Sequence, residues 1–333
     1  MEKKLNNLID KALSRRSFIA GAGTAAATTI LVGCSGSTTP TPTPTPPPTP
    51  APSSLTDADY LNFALNLEYL EAEFYLRAAT GNGLTSADTG NSTSLTVGGT
   101  QLPSLTADQK SYVYEIAQNE LDHVRFLRSA LGSAAVSAPA IDLTNSFNSL
   151  AMAAGITSAG FSPFGSYQAF LVGAFVFEDV GVTAYHGAAG LLTDKGNLSA
   201  AASILAVEGY HAAEVRTLLI YDSVDRAVST ATSVTPDNTY VNYAIKVSTL
   251  RATLGGGNET TLTALPPYTL PFDPTKYMPV STIVAADTTN SIAFARTTDQ
   301  VLHIVYAAAT GAGLGKGGFF PSGLNGNIKV TAS

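Results

Sequence analysis

Two stretches of the chain carry the same acid and imidazole pattern. Asn66–Tyr75 (NLEYLEAEFY) is followed by Asn119–Leu127 (NELDHVRFL), and Val176–Tyr185 (VFEDVGVTAY) by Ala206–Val215 (AVEGYHAAEV). Superposing Glu68 on Glu178 also superposes Tyr75 on Tyr185, while Glu120-x-x-His123 matches Glu208-x-x-His211. A Glu-x-x-His on a helix puts both side chains on one face, one turn apart. Four carboxylates and two imidazoles in this order are the donor set of a di-iron or di-manganese site in a four-helix bundle. The only cysteine is Cys34, so a soft thiolate site is excluded from the rest of the chain, and glutamate with neutral histidine suits iron, manganese or zinc.

Helices must present these groups inward. Leu61, Ala64, Leu65, Glu68, Ala72 and Tyr75 recur at three- and four-residue spacing, which predicts a helix from Thr56–Asp57 to about Ala79, stopped by Gly81. A second helix is predicted from Thr106, with Gln109 completing a capping box, to the residue before Gly132. Its apolar stripe contains Val113, Ile116, Glu120, His123, Val124 and Leu127. The third is expected over Ser166–Leu191 and the fourth over Ser199–Tyr221, joined by the short link Thr193–Ser199. In each stripe an acid occupies an apolar face, which is costly unless a cation or a hydrogen bond compensates it.

Connection lengths set the topology. Two parallel helices of about 25 residues need at least about 11 extended residues between them. The Ala/Ser/Gly-rich segment Gly132–Ser162, with one short helix expected around Phe147–Ala154, is long enough for such a crossover between the second and third helices. The expectation is a mainly α fold with a four-helix bundle over 56–222. A mostly irregular extension over 223–333 packs on it, with a few strands and one further helix from Asp299 to about Ala309, capped by Thr297 and Gln300.

Over Asp57–Tyr221 these motifs resemble the ferritin-like superfamily. With AFARTTDQVLHIVY (Ala293–Tyr306) and GGFFPSGLNG (Gly317–Gly326), the chain is most similar to bacterial ferritin-like domain proteins related to plant desiccation-related proteins. The resemblance implies Glu68 and Glu178 as terminal ligands, Glu120 and Glu208 as bridging carboxylates, and His123 and His211 as one nitrogen ligand each, holding two iron or manganese ions. Glu71, one turn from Glu68, is an alternative ligand. Tyr75 and Tyr185 are candidate catalytic residues, as hydrogen-bond partners of the ligands or as redox-active tyrosines, with plain core tyrosines as the alternative. His186 is expected to point off the site face and His303 to be structural. Asp122 and Asp179 adjoin ligands and could pair with Arg125 and Arg216.

The N-terminus carries a different message. Residues 1–33 combine a basic segment containing Ser14-Arg15-Arg16-Ser17-Phe18 with a 14-residue apolar run, Ile19–Val32, and resemble a twin-arginine export signal. The run is shorter than the about 20 residues of a membrane-spanning helix. Leu31-Val32-Gly33-Cys34 resembles a lipobox, which implies an exported, cell-envelope or periplasmic protein held on a membrane through lipidated Cys34. Residues 34–55 include TTPTPTPTPPPTPAPSS (Thr38–Ser54), an extended tether of about 50 Å at ~3.1 Å per residue. Residues 1–33 hold five basic and two acidic side chains, so without them the net charge moves from −7 to −10. Such acidity argues against nucleic acid as a partner.

Two functions from different classes fit. One is a di-metal oxidoreductase that acts on dioxygen or peroxide, or oxidises ferrous iron, with metal ions or a small-molecule oxidant as its partners. The other is a non-catalytic envelope or desiccation stress-protection protein that keeps the bundle as a scaffold. Metal binding without turnover is a third reading.

Overall fold

Thr56 opens the first helix with a capping box closed by Asp59, and Gly81 ends it in the left-handed conformation that glycine adopts without strain. The computed structural model describes residues 55–269 and 283–333; the leader, Cys34 and nearly all of the Pro/Thr-rich segment lie outside the described residues, as does most of the Pro-rich run 265–279. Seven α-helices are described: α1 Asp57–Thr80, α2 Ala107–Leu131, α3 Asn145–Ala153, α4 Tyr167–Ala189, α5 Lys195–Asp225, α6 Thr239–Gly255 and α7 Thr298–Val305. None of them is long and apolar enough to cross a membrane.

The bundle consists of two hairpins, α1 with α2 and α4 with α5. Hydrogen bonds fix the first as antiparallel. Near the C-terminal end of α1, Gln101 donates to the Ala79 carbonyl, and near its N-terminal end Asn62 donates to the carbonyl of Ala134, just past α2. The expected crossover from α2 to α4 is present and contains α3. It is pinned by a short parallel pair in which β1 (Thr96–Val97) lies beside β2 (Ile141–Asp142).

α5 begins four residues earlier than the sequence suggests. The Asp194 side chain accepts from the amides of Gly196 and Asn197, so these two poor helix formers sit in a capped first turn, where their amides need a side-chain acceptor. The extension has the few strands expected, as the small sheet β3 (Val228–Ser229), β4 (Ser233–Thr235) and β5 (Tyr268–Thr269), antiparallel in that order, and adds a helix that was not expected, α6. α7 forms with the predicted Thr297/Gln300 capping box.

This addition explains α4. Its residues are buried almost throughout, from Tyr167 to Tyr185, because α6 and α7 cover the side that α1 and α5 leave free. A helix apolar all round is a buried helix. Close approach is required at Gly187, where a Cβ would lie 1.8 Å from the carbonyl oxygen of Arg296, beside the backbone hydrogen bond from Arg296 to Thr183 (2.9 Å). Phe74, Phe147, Phe164, Phe170, Phe177 and Phe319 then fill the space between α1, α3, α4 and the extension. Ring centroids within this cluster lie 5.0–5.7 Å apart.

A buried ionic network ties bundle to extension. Arg216 donates to both oxygens of Asp179 (2.9 and 2.8 Å), as the sequence suggested, and to the carbonyl of Thr260 (2.7 Å). Arg251 on α6 reaches Asp179 (2.6 Å) and Glu259 (2.8 Å), and Arg296 reaches Glu259 (2.7 Å) and the Thr183 hydroxyl (2.8 Å). All three arginines are at most 1% exposed. Removing one partner of such a set leaves a buried charge uncompensated. Asp179→Ala, which strips the shared acceptor from Arg216 and Arg251, is expected to destabilise the protein by about 3–5 kcal/mol in denaturant unfolding.

Candidate metal centre

α1, α2, α4 and α5 each deliver their acid to the same buried point. Glu68, Glu120, Glu178 and Glu208 are at most 1% exposed, with His211 at 3% and His123 at 9%. One oxygen or nitrogen from each of Glu68, Glu120, His123 and Glu208 falls within 4.8 Å of the others, as do those of Glu120, Glu178 and His211. Glu120 belongs to both groups. The six residues singled out from the sequence are therefore brought together, and Glu71 is not among the converging donors. His123 Nδ1 lies 3.3 Å from Glu68, 3.4 Å from Glu120 and 3.6 Å from Glu208, while His211 Nδ1 lies 2.9 Å from Glu120 and 3.6 Å from Glu178.

The donors could hold metal ions. Glu68 Oε2, Glu178 Oε2 and both oxygens of Glu208 are buried without a hydrogen-bond partner, and Glu120 Oε1 has only the facing His211 Nδ1, 2.9 Å away. Buried polar atoms are ordinarily satisfied, and leaving this many acids unpaired in an apolar interior would be prohibitive. Cations among them would supply the missing partners, and oxygen with imidazole nitrogen suits iron, manganese or zinc.

The tyrosines cross between the halves. Tyr75 on α1 donates to Glu178 Oε1 on α4, and Tyr185 on α4 donates to Glu68 Oε1 on α1. Each outer carboxylate thus has one oxygen held by a phenol and the other turned inward.

Comparison with known proteins agrees with this arrangement. Residues 56–220 match the model of the ferritin-like domain. The chain is 30% identical over 262 residues to the desiccation-related protein PCC13-62 of Craterostigma plantagineum, covering 76% of this chain and 79% of that one. It is 26% identical over 278 residues to the ferritin-like catalase Nec2 of Nesocodon mauritianus, covering 82% and 84%. The chain belongs to the ferritin-like proteins.

Within this ferritin-like bundle the two halves differ at two places. Superposing Glu120 on Glu208 pairs Asn119 with Val207. Asn119 Oδ1 accepts from His211 Nε2 at 3.0 Å, which fixes the ring with Nδ1 toward the centre. Val207 offers no such acceptor, and it lines with His123 a solvent-open cleft of about 530 Å³. Superposing Glu68 on Glu178 pairs Glu71 with Gly181. A Cβ on Gly181 would come within 2.1 Å of Glu208 Oε2, so the absent side chain is what gives Glu208 its place. Neither Asn119 nor Gly181 was singled out in the sequence. Superposing the repeats and asking where they disagree would have found both.

The other expected neighbours are structural. His186 points off the centre, its Nδ1 3.1 Å from the Phe294 carbonyl, and His303 is buried with Nδ1 3.0 Å from the Ala308 carbonyl. Arg125 pairs with Asp88 at 2.8 Å and only distantly with exposed Asp122, at 3.9 Å.

Without metal the centre stores protons. Burial pushes Glu68 up to about 7, against the pull of His123, and Glu178 up to about 8, against that of His211. Burial and neighbouring carboxylates raise Glu71 and Glu208 well above the usual range. Burial opposes ionisation of Glu120 too, but hydrogen bonds and charge from both imidazoles outweigh it and hold that carboxyl well below the usual range. Burial pulls the histidines down; Glu68 and Glu120 overcome it to bring His123 to about 11, and Glu120 and Glu178 to bring His211 to about 9.

These directions have a consequence for stability. A group whose pKa is raised on folding adds stability below its unfolded value and loses it as pH rises through the folded one. Metal-free protein should therefore lose thermal stability between about pH 5 and 9, as Glu68, Glu178 and then His211 give up protons. Excess metal should reverse that trend, because binding replaces those protons. Melting temperatures of chelated and loaded protein across this range check both. The Asn119 contact makes a second prediction: Asn119→Ala weakens metal binding about 10–100-fold, measured by competition with a chelator, with the helical signal unchanged.

Proposed function

We propose that the protein is a di-metal carboxylate oxidoreductase acting on hydrogen peroxide, with iron or manganese as the resident metal. The observation that carries this reading is the set of unpartnered carboxylate oxygens converging in one buried compartment. Similarity to a protein named a ferritin-like catalase supports peroxide as the substrate. Glu68, Glu120, His123, Glu178, Glu208 and His211 would hold two ions. Two such ions, when bound, would supply the two-electron redox chemistry by which two molecules of hydrogen peroxide become two of water and one of dioxygen.

The chain's own residues set the conditions. Tyr75 and Tyr185 anchor Glu178 and Glu68, and burial raises both phenols well above their ordinary range, so they remain hydrogen donors throughout. Asn119 fixes the tautomer of His211 by accepting from Nε2. The aliphatic and aromatic packing around the four carboxylates keeps them at most 1% exposed, which strengthens the electrostatic contacts among them.

The similarity to a desiccation-related protein favours a second reading, in which the bundle protects cells under drying stress without turnover. The two separate on one experiment. Metal analysis of the protein isolated from its own host is expected to give two ions per chain, with oxygen release from peroxide. The double variant Glu120→Ala, Glu208→Ala should lose both ions and activity. A folded wild type without metal or peroxide turnover would leave the protective role. We also propose export and anchoring through Cys34; the sequence pattern of residues 14–34 is what supports it.

A further inference from the structure

The break in symmetry at Glu71 and Gly181 coincides with a cavity. Where the second half has glycine, the first places a carboxylate, and beside the two lies a small, partly enclosed space of about 20 Å³, enough for one water-sized molecule. Its other walls are apolar: Leu67 and Leu70 from α1, Val176, Phe177 and Val180 from α4, and Ile304, Val305 and Phe319 from the extension. Glu208 Oε2, unpartnered and fully buried, lies against the Gly181 wall. Glu71 is buried yet lies outside the groups of converging donors, so it is a polar group at the edge of the centre rather than part of its ligand set.

The cavity adjoins a larger outer cleft. Ile304 and Phe319 also line a half-open, largely apolar cleft of about 430 Å³ between α3, α6 and the C-terminal segment, together with Leu150, Val247 and Leu254. Two side chains of the extension therefore separate this outer cleft from the inner space. The cleft at His123 is the alternative approach. It opens directly to solvent and is bordered by Ser199, Ser203 and Val207.

We propose that the cavity beside Glu71 is the seat at which the centre receives hydrogen peroxide or a molecule of similar size, and that Ile304 and Phe319 form its size-selective neck. Glu71 is the acceptor for the incoming O–H, and the apolar walls reject anything bulkier. The proposal depends on the function above only in needing bound metal for its probe.

The test follows azide, a small anion whose binding to oxidised iron or manganese is read from absorbance in stopped flow, on metal-loaded full-length protein. Leu254→Trp fills the outer cleft and should slow azide association about tenfold, equivalent to raising the barrier by about 1.4 kcal/mol, with metal content unchanged. Ser203→Trp fills the His123 cleft and should leave the rate as it is. Ile304→Ala acts in the opposite direction, speeding association and admitting tert-butyl hydroperoxide, which the wild type excludes. Glu71→Gln should keep two ions per chain and raise the KM for hydrogen peroxide several-fold. Slowing by Ser203→Trp but not by Leu254→Trp, or loss of an ion in Glu71→Gln, overturns the proposal. Azide reports the route whether or not peroxide is turned over. A protein that admits azide past Leu254 but leaves peroxide intact would sink the catalytic reading and keep this one.

Discussion

Like charges in a dry space repel, and this protein buries four carboxylates around one point with a fifth, Glu71, at its edge. Glu68, Glu120, Glu178 and Glu208 can share it only if something positive stands between them. With metal absent, protons on Glu68, Glu178 and the two imidazoles serve; with metal present, the ions take over. The surrounding structure makes either arrangement possible. Four helices converge at mid-length so that each needs to contribute one inward acid, and the crossover lets the two hairpins meet with their halves in register. Crossed phenol contacts tie each half to the other's outer carboxylate, so neither hairpin can shift without disturbing a donor on its partner.

A second set of buried charges lies on the other side of α4. Glu178 and Asp179 are neighbours in sequence but face opposite ways, one into the centre and one into the cluster of Arg216, Arg251, Glu259 and Arg296. The arginines keep Asp179 ionised despite its burial. That cluster draws residues from α4, α5, α6 and the loop before α7, so it fixes the helix that carries both Glu178 and Gly181. Rigidity at a metal centre depends on such support, because a donor misplaced by a fraction of an ångström binds poorly.

Much of this was legible in the chain. The repeated Glu and Glu-x-x-His order identified all six converging side chains, and capping residues such as Thr56, Thr106 and Thr297 located helix starts. What escaped notice shares a physical character. α6 lies in a segment without a clear apolar stripe, since tertiary packing rather than periodicity holds it helical. The start of α5 was hidden by Gly196 and Asn197, whose low propensity is overridden by the Asp194 cap. The crossing of the tyrosine bonds could not be inferred from spacing, which places Tyr75 beside Glu68 but says nothing of the opposite helix. Glycine at 181 and asparagine at 119 act through what they leave empty or hold from behind, and single-residue chemistry gives no sign of that.

The docking of the last segment onto α4 bears on how the protein is made. Glu68 through His211 leave the ribosome well before Ile304, Val305 and Phe319, so a nascent chain with every donor already synthesised still lacks one wall of its inner chamber. A centre loaded at that stage would be open to cytosolic water and reductant. The Arg296 backbone laid against Gly187 and the segment that follows it supply that wall. Truncation late in the gene would thus yield a molecule that still has its donors but has lost its shelter.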